Sequence, residues 1–277
     1  MNRRRFMASL AAAMVAGVGL ARWQVGGAPR TTAAATPDPQ GMAPGPAASL
    51  PAPVAVMPPP AAGTRTRLPG NGVLTRLPGQ GDLLALTVDD GANSDVVRLY
   101  TQFAKDTGVR LTFFVNGMYP SWTDNRALLR PLVDSRQIQL GNHSFSHPDL
   151  TAVSQRRIAD EITRNDAFLK KTFGIDAAPY LRPPYGRHNP AVDRVAADLG
   201  YPVITMWSGS LADSTVVKED FIVKMANQYF TPQTIVLGHL NHLPVTHVYD
   251  QLVDVIRSRN LRTVTLDDVF QRPANRA

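Results

Sequence analysis

The sequence predicts an α/β fold built on a parallel sheet, and three observations carry that expectation. From Gly79 onward, short apolar runs alternate seven times with helically spaced stretches, the pattern of repeated βαβ units. Several of the helical stretches stop at a glycine, the residue that most readily adopts a left-handed helix cap. Unusual polar residues gather just behind the strands, at the edge where open and barrel-shaped parallel sheets place their sites. Periodicity alone does not choose between the two.

The first strand is expected over 83–88, where Leu-Leu-Ala-Leu-Thr-Val is continuous enough to be buried on both faces. A helix over 94–107 follows, with Ser94 as its N-cap and Gly108 as its stop. The apolar run 111–115 gives a second strand, and 125–135 a second helix. A third strand over 138–140 leads to a long helix over 154–172 that ends before Gly174. Residues 180–182 form a short strand before a proline-rich turn, and 191–199, closed by Gly200, a helix. Strands over 203–206, 235–237 and 263–266 and helices over 220–230 and 248–258 complete the series.

Composition sets the outer bounds. The chain has 277 residues, no cysteine and a net charge of +7. Disulfides, thiolate metal sites, a cysteine nucleophile and a lipid-modified cysteine anchor are therefore excluded. Such a basic balance raises nucleic acid or an anionic surface as a partner, so its position matters. Up to Arg67 there are seven arginines, no lysine and one acid, Asp38, which places +6 of the charge there. The remainder is almost neutral and carries no basic helix or aromatic-basic platform, so no nucleic-acid partner is expected.

Residues 1–27 read as an export signal. Arg3, Arg4 and Arg5 precede Phe6-Met7 and the apolar run 10–21, which is short for a spanning helix. The paired arginines resemble a twin-arginine signal of a bacterial protein; a general secretory signal or an uncleaved anchor is the alternative. Gly19-Leu20-Ala21 offers a small-x-small cleavage site. Residues 28–75 read as a linker: 28–60 hold ten prolines and nine alanines, too little to form a core, whether spacer or plain tail. The folded domain is expected over 76–272. An exported, monomeric protein follows, touching a membrane only through its signal.

The chemistry lies at strand ends. Asp89, Asp90 and Gly91 stand where the first strand stops; adjacent side chains diverge, so one carboxylate can meet a cation while the other faces water. The same triplet also suits a plain turn or helix cap. After the third strand come His143 and His147, four apart and followed by Pro148. Two imidazoles and one aspartate leave coordination positions open for water and substrate, a set suited to a divalent ion, zinc first and then cobalt or nickel. Arg182-Pro183-Pro184-Tyr185-Gly186 and Leu237-Gly238-His239 end two further strands; each is ordinary alone, and their shared location raises them.

In this order the motifs resemble those of the NodB-homology polysaccharide deacetylases, carbohydrate esterase family 4, over roughly 82–270. The resemblance implies a distorted (β/α)7 barrel and metal-dependent removal of acetyl groups from sugars. It further implies that Asp89 is the general base, that Asp90, His143 and His147 are the metal ligands, and that Arg182 pairs with the base. Tyr185 would offer a backbone N–H to the oxyanion, Leu237 would wall the acetate pocket, and His239 would be the general acid. His242 and His247 compete for that last role, and spacing after the strand favours His239.

The fourth motif departs from the pattern. Relatives carry Asp-Trp there, whereas this chain has Asp213-Ser214. Asp213 keeps the role of supporting the acid histidine. Trp207 either lines the substrate site or packs as core, and the pocket is expected to be wider or more polar. The expected substrate is the N-acetyl group of an N-acetylglucosamine-type polysaccharide. An O-acetyl xylan-type esterase and a catalytically weak glycan-binding protein are the alternatives.

Overall fold

The computed structural model describes residues 65–272; the expected export signal and most of the linker lie outside them. Eleven strands and eight α-helices run in chain order among the described residues. They begin β1 Thr66–Arg67, β2 Gly72–Leu74, β3 Leu83–Asp90, α1 Ser94–Thr107, β4 Leu111–Val115, α2 Ser121–Asp124, α3 Arg126–Asp134, β5 Ile138–Asn142 and α4 Gln155–Phe173. They continue β6 Tyr180–Leu181, α5 Pro190–Asp198, β7 Val203–Thr205, β8 Gly209–Ser210, α6 Glu219–Tyr229, β9 Thr234–His239, α7 Tyr249–Ser258, β10 Arg262–Thr263, α8 Leu266–Val269 and β11 Phe270–Gln271.

The main sheet is parallel, in the order β2-β7-β6-β5-β4-β3-β9-β8, with β10 also on β3. The sheet curls so that one chain segment spans its two ends. β7 pairs with β6, and β8, four residues further on, pairs with β9 at the other end. The result is the distorted barrel the motifs imply. β2 fills the seam: it pairs with β7, while Arg76 bridges to Thr234 and Leu77 N–H donates to Gln233 O at 2.9 Å. Among the described residues no helix is long and apolar enough to cross a membrane.

Side-chain alternation sorts the strands between two layers. On β3, Leu84, Leu86 and Val88 join the large cluster shared with α1, α3, α6 and α7, whereas Ala85 faces the barrel interior. Phe113 and Phe114 on β4 divide the same way. Tyr180, Val203 and Ile235 also point inward. Two residues further along each strand, that parity carries Arg182, Thr205 and Leu237 to the same interior.

Three expectations need correction. Asn93, not Ser94, caps α1: its side chain accepts from the Asp95 and Val96 amides, one position earlier than the spacing suggests. The strand expected over 263–266 stops at Thr263, because Thr265 closes a capping box with Asp268 and starts α8 instead. Residues 66–75, assigned to the linker, contain β1 and β2, and Leu68 and Leu74 are buried. The stops at Gly108 and Gly174 hold, both left-handed at helix ends, whereas α5 ends at Asp198 with Leu199 as its cap, one residue ahead of Gly200.

Candidate active site

Register brings the first pair together. Asp89 on β3 stands directly opposite His239 on β9, and Thr87 opposite Leu237. Asp89 shares the inward parity of Ala85, so its carboxylate belongs to the barrel mouth. Arg182, fully buried after β6, donates from Nη1 to Asp89 Oδ1 at 2.6 Å. The rest of the guanidinium is fixed by the carbonyls of Thr205 and Met206, each at 3.1 Å, and it lies over the Phe114 ring. A charge this deep in the protein requires such full pairing.

Asp90 would point to the opposite face if the strand continued. Its φ of 80° ends the strand and redirects the carboxylate; this is an uncommon conformation for a residue with a Cβ. Gly91 continues the turn at φ 108°, where a Cβ would fall 2.5 Å from the Trp122 ring. Trp122 Nε1 donates to the Asp90 carbonyl at 3.2 Å. Thus redirected, Asp90 Oδ1 lies 3.3 Å from Nε2 of both His143 and His147.

The two histidines ride on a short loop after β5. Ser144 and His147 have φ of 66° and 58°, and surrounding polar groups hold them there. Asn142 Oδ1 accepts from the Ser144 amide at 2.8 Å, and Ser144 Oγ from the His147 amide at 3.1 Å. Glu161, fully buried on α4, accepts from the Ser146 amide at 2.7 Å and from its hydroxyl at 2.6 Å. His143 Nδ1 lies 2.6 Å from the Arg182 carbonyl. A carbonyl only accepts, so Nδ1 carries a proton and Nε2 is the nitrogen turned toward Asp90; burial opposes the charge on this ring, but Asp89 and Asp90 raise its pKa.

These residues fit a divalent ion. The three ligand atoms lie within 4.8 Å of one another. Two donors about 2.1 Å from a tetrahedral ion stand about 3.4 Å apart, close to the two spacings found. Asp90 Oδ1 is buried with no hydrogen-bond partner, a costly state unless something positive binds it. Burial resists the charge on Asp90, but His143, His147 and His239 outweigh it and hold the carboxyl below its ordinary range. Burial, then the neighbouring His143, pushes His147 below the usual imidazole value and favours its neutral, ligating form.

On the other side, His239 Nδ1 pairs with Asp213 Oδ1 at 2.9 Å, and its amide donates to Asp213 Oδ2 at 3.2 Å. Burial opposes protonation, yet Asp213, Asp89 and Asp90 together raise the His239 pKa. His247 pairs instead with Glu219 on the surface. Leu237 is buried below His239. Tyr185 is exposed, at φ 59°, with its ring 4.6 Å from that of His147. Trp207 packs on the interior cluster and lies over Arg182, the packing reading of that residue. Ser214 is exposed beside buried Asp213.

The sequence thus brings Asp89, Asp90, His143, His147, Arg182, Asp213 and His239 to one mouth. A polysaccharide deacetylase profile matches residues 77–204. Over those residues, just under half of its length, the chain is similar to the polysaccharide deacetylases. It is 29% identical over 187 residues to a peptidoglycan-N-acetylglucosamine deacetylase, PgdA, of Listeria monocytogenes, covering 68% of this chain and 38% of that protein. It is 26% identical to a peptidoglycan-N-acetylglucosamine deacetylase of Bacillus cereus, covering 70% of each. A solved structure described as T48 deacetylase with substrate superposes with a TM-score of 0.60 at 28% identity, covering 68% of this chain and 89% of that one.

Motif spacing missed several residues here. Glu161 and Asn165 had a signal, as polar breaks in the α4 stripe that runs through Ile158, Ile162 and Leu169. Tyr119, half-buried, has its phenol pKa raised by burial and by the charge of Asp90; no spacing singles it out. Asn241, which touches Asp90, is equally silent in the sequence.

Proposed function

We propose that this protein is an exported, zinc-dependent hydrolase that removes N-acetyl groups from N-acetylglucosamine-type residues of cell-wall polysaccharide. One observation carries the reading: Asp89 and His239 face each other across paired strands, beside the Asp90–His143–His147 set. A divalent ion held there would polarise an acetyl carbonyl and lower the pKa of a water. Asp89, oriented by Arg182, takes a proton from the attacking water as general base. The backbone N–H of Tyr185 donates to the carbonyl oxygen as it gains charge. His239, held protonated by Asp213, gives its proton to the departing sugar nitrogen. Water and the amide are consumed; acetate and a free amine result. The near-neutral domain suits an uncharged glycan, and the leader supports export.

The test is acetate release from N-acetylglucosamine oligomers and peptidoglycan. Release that stops with a chelator and returns with Zn2+ is expected. Release from acetylxylan alone would move the reading to an O-acetyl esterase. No acetate from any acetylated glycan or ester, with metal bound, would overturn it in favour of a binding protein.

A further inference from the structure

We propose that Asn241 is a positioning residue that aims Asp90 at the divalent ion and thereby sets its affinity; the inference rests on the metal reading above. Asn241 lies two residues beyond His239, in the turn that follows β9. Its amide spans two points of the β3 exit. Oδ1 accepts from the Ala92 backbone at 3.2 Å, and Nδ2 donates to Asp90 Oδ2 at 2.6 Å. A backbone N–H only donates, so the contact with Ala92 fixes which end of the amide is oxygen. The NH2 end must therefore face the carboxylate.

The consequence falls on the other oxygen. With Oδ2 engaged, Oδ1 is left buried, unbonded and 3.3 Å from both imidazole nitrogens. Among the described residues, Asn241 supplies the one side-chain hydrogen bond to this carboxylate from outside the two histidines. Asp90 is the last residue of β3, with φ 80°, and its backbone pairing with Val115 leaves the side chain to be oriented by other contacts. A lysine or arginine here would also grip Oδ2, but its charge would repel the ion. A neutral amide orients the ligand without competing, as partners of metal-binding side chains commonly do.

The test measures metal binding rather than turnover. In Asn241→Ala, the Zn2+ dissociation constant, read by competition with a chromophoric chelator, should rise about 10- to 100-fold. The visible spectrum of the Co2+-loaded variant should change shape, because the carboxylate is no longer held in one orientation. Turnover at saturating metal should largely recover, which separates positioning from catalysis. Asn241→Ser, too short to reach Asp90, should behave alike and serves if the alanine variant does not fold. A dissociation constant and Co2+ spectrum equal to those of the unaltered protein would overturn the proposal. Failure of the unaltered protein to bind either ion would overturn the metal reading, and this inference with it.

Discussion

Asp89 and Asp90 are chemically identical neighbours with different surroundings, and backbone geometry makes the difference. Asp89 keeps the strand parity, pairs with Arg182 and stands in register with His239, with its Oδ2 3.6 Å from His143 Nε2; Asp90 breaks the parity at φ 80° and lies 3.3 Å from two imidazoles. Asp89→Asn keeps the shape but removes the proposed base, so kcat should fall about 10²- to 10⁴-fold while Zn2+ affinity, measured separately, holds. The acid side gives a signed prediction. Asp213 favours the imidazolium of His239, whose pKa is raised despite burial. Asp213→Asn removes that negative partner, so the His239 pKa falls. The alkaline limb of the kcat–pH profile should then move down by about one pH unit or more. A limb that stays in place would take the proton-donor role from His239.

At the scale of elements, the histidine loop depends on helix α4. The left-handed Ser144 and His147 are held because Asn142, Ser144 and Glu161 satisfy their local amides. Removing the Glu161 carboxylate leaves the Ser146 amide and hydroxyl without their buried acceptor, a loss of about 1–3 kcal/mol. Glu161→Ala should therefore lower the melting temperature and weaken Zn2+ binding together, measured by calorimetry and chelator competition; Glu161→Gln should do less. Helix stops were legible in the sequence because a glycine such as Gly108 or Gly174 announces itself locally. The α1 start was not, since Asn93 and Ser94 are both good caps and only the chain path chooses. The 263–266 strand failed for a related reason: its β-branched residues fit a strand, but Thr265 and Asp268 form a local cap that competes.

At the scale of the whole molecule, the candidate site residues were legible as a group because a parallel barrel collects its strand ends at one mouth, so linear motifs come together there. Asn241 was not, because its contact with Asp90 depends on a turn geometry that no period encodes. The seam was hidden for a third reason. Residues 66–75 follow a proline-rich stretch and look like its continuation, yet β2 pairs with β7 and Arg76, just after it, bridges to Thr234 of β9. Leu68 and Leu74 bury their side chains in the interior cluster that lies under the mouth, each contributing about 1.5–3 kcal/mol. A chain begun at Arg65 should therefore melt with the full-length protein. A chain begun at Leu77 should lose about 3–6 kcal/mol and, because Met206 N–H donates to Leu74 O at 2.7 Å, should also loosen the segment whose Met206 carbonyl holds Arg182. Its activity should fall further than its residual folded fraction explains. Equal melting of the two chains in denaturant and heat would show instead that the barrel closes without its N-terminal strand.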